Sequence, residues 1–522
     1  MKQPVFYSVL LSLAIAGNVA AQQPFTVTAD MRGRAQTIHN FGASGCWFSE
    51  SIGRYWPQEK KEKIAELLFS RELDAQGNPK GIGLSAWRFN IGGGTEEQGD
   101  SSGIKMPQKR VESFLDAKGN YNWNKQSGYQ WFLKKAKAYG VETLIAFSNT
   151  PPVQFNTNGL GFKTVKDYKA NLKPEYYTAY ADFLAEVLQH FDKEDLHFDY
   201  ISPVNEPQWD WSNKFGSASQ EGSPWSNEEI YHVVTELNSS LQKRSLSSRI
   251  MITEAGMLTY LYGGNGAGKQ IQYFFNDRSP LNVKQLSHVP GFIGGHSYFT
   301  DNGDSAMIAV RRHVADTARQ YGVEYWQTEY SMLGDGFREG SNNKRTAMDC
   351  ALFLAKLIHQ DIAIGNAAAW QLWNSYEPGK ADEDTRYYLV ALHPDADFKN
   401  GSFTPVKNLW ALGHYSRFIR PGMHRVPLSR SDNASDLQAA QGIMLSAYAD
   451  NTNKKLVLVA VNYTQQEQTF TLNLQHFGKV RTYTSYTTTA SPDENMKARQ
   501  ALPLKNGIRL PSRSITTILI NR

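Results

Sequence analysis

The chain of 522 residues contains only two cysteines, Cys46 and Cys350. That excludes a disulfide scaffold and a cysteine-based zinc site. One bridge is conceivable, but two buried free thiols are expected. Beyond the N-terminus no apolar run reaches the ~18 residues that span a bilayer, so no stable membrane insertion is expected. A strong charge bias is also missing. The 55 basic and 50 acidic residues leave a net +5, and no Lys/Arg cluster marks a nucleic-acid groove. No H-E-x-x-H or G-x-S-x-G occurs, which removes the usual zinc-protease and lipase signatures. Gly263–Gln270 nearly matches a phosphate loop, but Gln270 replaces the magnesium-holding hydroxyl and no strand leads into it. Asp301–Asp304 has calcium-loop composition without the spacing or the closing Glu. No metal and no cofactor are expected.

Aromatic residues, by contrast, are plentiful at 12%, and hydrophobic residues make up 41%. That composition suits a large core and also flat apolar faces for sugar rings. At the N-terminus, Lys2 precedes an apolar run from Val5 to Ala16, and Val19-Ala20-Ala21 supplies small residues for cleavage. Residues 1–21 therefore read as a signal peptide, implying a periplasmic or extracellular protein.

From residue 36 to 422, short apolar runs alternate with amphipathic helical stretches. Strands are expected at Ile38–Ser44, Ser85–Ile91, Val141–Ser148, Phe198–Val204, Arg249–Thr253, Phe292–Tyr298, Glu324–Thr328 and Ala367–Trp373. Eight strands separated by helices predict an α/β fold, a (β/α)8 TIM barrel; an open doubly wound sheet is the alternative. Residues 423–522 alternate with period two and predict an appended antiparallel β-sandwich domain. The strand-like residues 22–35 are expected to join that sandwich.

Two glutamates stand at strand ends. Glu206 closes the fourth strand in Val204-Asn205-Glu206-Pro207, and Glu329 closes the seventh in Gln327-Thr328-Glu329-Tyr330. In a barrel, reacting groups come from the C-terminal strand ends, and strands four and seven face each other across the ring. Two carboxylates flanking a bond are the machinery of glycoside hydrolysis. Glu254, ending strand five, is a rival nucleophile. Trp47, Trp209, Trp211 and Trp225 lie on loops and could stack on sugars or pack under lids.

Several motifs in order resemble glycoside hydrolase family 30, a family of retaining β-glycosidases. They are Trp87-Arg88-Phe89, Asn205-Glu206-Pro207, His296-Ser297-Tyr298, Thr328-Glu329 and Trp370-Gln371-Leu372-Trp373-Asn374. The resemblance implies Glu206 as acid/base and Glu329 as nucleophile. It implies substrate contacts from Arg88, Asn149, Asn205, Trp209, His296, Tyr298 and Trp373. Gly92-Gly93-Gly94 stands where glucosylceramidase-like members carry a sugar-holding aspartate, and Asn149 stands near their tryptophan. These departures, with an open glycine-rich rim inferred at Gly92–Gly94, point to an endo-β-1,6-galactanase. β-1,6-Glucanase, xylanase or glucosylceramidase-like β-glucosidase activity and a non-catalytic carbohydrate-binding protein are the alternatives. The expected partner is a polysaccharide or oligosaccharide, and a monomer is expected.

Overall fold

The computed structural model describes residues 25–333 and 345–522, so the expected signal peptide lies outside the described residues. Eight parallel strands form a ring: β1 (Asn40–Ser44), β2 (Ala86–Asn90), β3 (Thr143–Phe147), β4 (Tyr200–Ser202), β5 (Arg249–Ile250 and Thr253–Ala255), β6 (Phe292–His296), β7 (Glu324–Glu329) and β8 (Ala369–Asn374). The ring runs continuously from β4 back through β1 and β8 to β6. Its closure lies in β5, expected as one strand and found as two. Arg249–Ile250 pairs with β4, whereas Thr253–Ala255 pairs with β6. Between them, Met251 N–H donates to Ile201 O and Ile252 O accepts from Gly294 N–H. This closure excludes the open doubly wound sheet. The strands are almost wholly buried, which is why they read as apolar runs rather than alternating ones.

Long helices follow most strands, among them Tyr177–Lys193 after β3, Asn227–Lys243 after β4 and Asp304–Tyr321 after β6. Asn227–Lys243 starts with a capping box, in which Ser226 and Glu229 satisfy each other's backbone N–H groups. That stop fixes where the long loop carrying Glu206 and Trp209 ends.

The N-terminal ends of the barrel strands are filled with apolar side chains. Ala86, Ile145, Met251, Phe292, Trp326 and Ala369 form one buried cluster. The Phe292 and Trp326 rings stack 3.8 Å apart, and Tyr200 packs edge-on against both.

Of three further sheets among the described residues, a small one joins Tyr376–Pro378, Val390–Pro394 and Gly401–Pro405 after β8, and the other two form the sandwich. A four-stranded sheet has the order Leu428–Arg430, Phe25–Asp30, Gln468–Gln475 and Ile508–Leu510. Phe25–Asp30 runs parallel to Gln468–Gln475 and antiparallel to Leu428–Arg430. The six-stranded sheet is built around Lys455–Asn462 and Ser514–Asn521. Val27, Phe470, Leu458 and Ile518 are buried together between the two sheets. The six-stranded sheet also meets the barrel's last helix, Lys407–Ser416. There His414 is buried between the hydroxyls of Thr517 and Thr488, each 2.9 Å away. Cys46 and Cys350 are both buried and unbridged.

Candidate active site

At the C-terminal mouth of the barrel five ionisable side chains converge, each from a different strand end. Arg88 in β2 is fully buried. It donates from Nη1 to Glu329 Oε2 at 2.7 Å and from Nη2 to Glu254 Oε1 at 3.3 Å. Its guanidinium lies 4.3 Å from the centre of the Phe147 ring, which shields that face from water. His296, ending β6, is equally buried. Its Nδ1 lies 3.0 Å from Glu206 Oε1 and its Nε2 3.2 Å from Glu254 Oε2. The same Nδ1 is 3.7 Å from Glu329 Oε1. Tyr298 donates its hydroxyl to that Glu329 oxygen at 3.0 Å.

The two sequence-selected glutamates thus meet over one imidazole. One oxygen of Glu206, one of Glu329 and a ring nitrogen of His296 all lie within 4.8 Å of one another. The backbone holds Glu206 in place: its N–H donates to Glu254 O at 2.8 Å. Both residues sit in the left-handed region, Glu206 at φ 45° and Glu254 at φ 54°. Side chains other than glycine seldom adopt it, and such outliers concentrate at functional sites.

The surroundings separate these carboxyl groups. Burial raises the Glu206 pKa; the His296 hydrogen bond and charge oppose that rise, and the negative Glu329 adds to it, with a net upward shift. Burial also pushes Glu254 upward, but the Arg88 charge and contacts with His296 and Thr328 outweigh it and hold the group at about 2. For His296, desolvation favours the neutral ring, yet the surrounding carboxylates win and raise its pKa to about 10. With carboxyl oxygens facing both of its nitrogens, the ring is favoured in its protonated form.

The pair opens into a cavity of about 540 Å³, lined by Asn205, Glu206, Trp209, Tyr298, Glu329 and Trp373 among others. Asn205 Nδ2 donates to Asn149 Oδ1 at 3.1 Å. Asn205 Oδ1 has no partner among the described residues, leaving an acceptor for a hydroxyl. The nine residues singled out from the sequence therefore gather here, with Asn149 acting through Asn205. Glu254 is fully buried behind the pair and does not line the cavity. Of the four loop tryptophans, Trp209 and Trp211 face the cavity. Trp225 packs between Tyr177 and Tyr180, and Trp47 packs edge-on against Trp373. Phe299, Met257, Gln220 and Leu333 also line it. They come from irregular loops, where no sequence period marks an inward side chain.

One expectation fails. Gly92–Gly94 do not form an open rim: all three are buried. A Cβ on Gly92 would sit 2.3 Å from Glu112 O, and one on Gly93 2.5 Å from Thr150. Gly92 and Gly93 are present for close packing of loops, and Gly94 for its φ of 98°.

A family model for O-glycosyl hydrolase family 30 matches residues 24–387. The chain belongs to this family. Family 30 members are glycoside hydrolases, and the barrel with its β-sandwich is shared with the family's solved structures. The chain is 28% identical to the endo-β-1,6-galactanase of Hypocrea rufa over 486 residues, covering 89% of this chain and 87% of that one. It is 23% identical to glucuronoxylanase XynC of Bacillus subtilis (strain 168) over 419 residues, covering 77% and 78%. A conserved exported protein from Bacteroides fragilis superposes with a TM-score of 0.87 at 31% identity, covering 95% of this chain and all of that one. No helix among the described residues is long and apolar enough to cross a membrane.

Proposed function

We propose that this family 30 enzyme is a retaining endo-β-1,6-galactanase working by double displacement, with Glu206 as acid/base and Glu329 as nucleophile. The observation that carries the mechanism is the close approach of the two carboxylates, within 4.8 Å at their facing oxygens. Retaining enzymes hold the pair about 5–5.5 Å apart, whereas inverting ones need about 6.5–9.5 Å for an intervening water. Arg88 and Tyr298 hold the two oxygens of Glu329, which aims the carboxylate at the anomeric carbon. Glu206, whose protonated form burial favours, gives its proton to the departing glycosidic oxygen. It then takes a proton from the water that cleaves the glycosyl-enzyme. Asn205 Oδ1 is the acceptor for the sugar 2-hydroxyl. Trp373 and Trp209 offer flat faces to the rings on either side of the cut.

The substrate reading rests on the galactanase relative, which is matched along nearly its whole length. A glucuronate-bearing xylan fits less well, because no Lys or Arg is found among the described cavity-lining residues. The buried Gly92–Gly94 segment contributes nothing to this choice. The N-terminal apolar segment and the exported Bacteroides fragilis relative support export from the cytoplasm. Time-resolved product analysis on β-1,6-galactan, β-1,6-glucan and glucuronoxylan tests the substrate. Early galacto-oligosaccharides are expected. Monosaccharide alone, or cleavage confined to another polymer, overturns the reading.

A further inference from the structure

Five ionisable groups share one desolvated space, and their charges must nearly cancel, because an uncompensated buried charge is costly. Arg88 supplies one positive charge and His296, facing carboxylates at both nitrogens, a second. Glu254 and Glu329 supply two negatives. The sum is then zero with Glu206 carrying its proton, and ionising Glu206 leaves one net negative charge. Glu254 is the group that completes this balance. It touches neither the cavity nor solvent, yet Arg88, Ser202, His296 and Thr328 all direct donors at it. Four donors on a carboxylate that takes no part in bond breaking are hard to explain as packing alone.

We propose that Glu254 is a positioning residue for the reaction: its fixed negative charge offsets the cations Arg88 and His296, holds the imidazole over both catalytic carboxyl groups, and so lets Glu206 keep its proton beside that cation. Without it, Arg88 and His296 hold an excess positive charge that only Glu329 offsets. The cluster relieves this by releasing a proton, from His296 or from Glu206. Either release breaks the arrangement: a neutral imidazole donates to only one neighbour, and an ionised Glu206 has no proton to deliver. The groups facing Glu254 are Arg88 from β2, Ser202 from β4, His296 from β6 and Thr328 from β7. Glu206 and Glu329 act on it through the shared imidazole and guanidinium.

This inference rests on the acid/base assignment above, so its test includes a readout that needs no substrate. In the intact protein with ¹⁵N-labelled histidine, His296 is expected to be doubly protonated at pH 7–8 by NMR. In Glu254→Gln it is expected to lose its proton at a pH lower by about one unit or more, roughly a tenfold change in proton affinity. Glu254→Asp, which keeps the charge, is expected to stay near wild type. On β-1,6-galactan, Glu254→Gln is expected to move the alkaline limb of the kcat profile to lower pH with little change in KM. A neutral His296 in the wild type at pH 7 overturns the inference even if Glu254→Gln does not fold. So does an unchanged His296 titration in a folded Glu254→Gln. If Glu206→Gln and Glu329→Gln both keep full activity on a cleaved substrate, the catalytic assignment itself has failed. If both are impaired while Glu254→Gln keeps the wild-type limb, only the role given to Glu254 has failed.

Discussion

The same eight strands build two opposite interiors. At their N-terminal ends, Trp326 in β7 and Phe292 in β6 stack face to face, with Met251 and Ala86 filling the remaining space. Three or four residues further along those strands stand Glu329, His296, Glu254 and, two further, Arg88. One end is held by dispersion and burial. The other is held by ion pairs and is arranged for reactivity rather than stability. Barrel strands can carry both because each contributes residues to successive layers. Mutations at the two ends should therefore separate cleanly into losses of activity and losses of stability.

The largest separation is expected for Glu329→Gln. Activity on every β-glycoside should fall by about 10⁴-fold or more, since no carboxylate remains to form the intermediate, while the melting temperature stays within a few degrees. Steady-state kinetics beside thermal melts checks it, and a mutant that unfolds would blur the contrast. Trp326→Ala should do the reverse. Loss of the stack should cost about 3–5 kcal/mol of stability, measured by urea unfolding, with kcat near wild type at low temperature. Glu206→Gln comes next, slowing substrates with poor leaving groups by about 10²-fold or more and those with good ones far less. Azide should partly restore turnover in that mutant by replacing the water that Glu206 activates. Equal slowing across leaving groups would remove Glu206 from the acid role.

A smaller effect contrasts two buried histidines. His296, ringed by carboxylates, is raised to about 10, whereas His414, between two threonine hydroxyls, is pushed by burial down to about 3. An unfolded histidine takes its proton near 6.5, so His414 favours unfolding once pH drops below that value. The stability lost this way grows as pH falls from 6.5 towards 3. Urea midpoints against pH should show this slope, and His414→Gln should flatten it. The smallest effect concerns Phe299, half exposed at φ 54° on the cavity wall. Phe299→Gly should weaken KM a few-fold. It should leave stability unchanged or raise it by up to about 1 kcal/mol through relief of backbone strain.

Much of the barrel was legible because its strands are buried on both faces and separated by amphipathic helices. The convergence of Glu206 and Glu329 followed from strand number alone. Three things were not legible. The split of β5 depends on ring closure, a property of the whole sheet. The short edge strands Leu428–Arg430 and Lys497–Pro503 carry too few inward residues to show a period. The place of Glu254 depends on which partners reach it. A glutamate at a strand end reads the same whether it opens to a cleft or lies under one, and Arg88, His296, Ser202 and Thr328 converge on it only in three dimensions. The misjudged glycines Gly92–Gly94 make the same point. Glycine permits both open loops and tight contacts, and only neighbours such as Val111 and Thr150 tell which.

The pairing of Phe25–Asp30 has a consequence in time. Thr28 and its partner Asn473 are 445 residues apart in the chain. At about 5–20 residues per second, synthesis separates them by roughly 20–90 s. During that interval the first strand has unpaired edges, and its partners do not yet exist. The four-stranded sheet can thus close only near the end of synthesis, and contacts of such long span form slowly. Until then Phe25 and Val27, buried in the finished protein, stay exposed to whatever meets the growing chain.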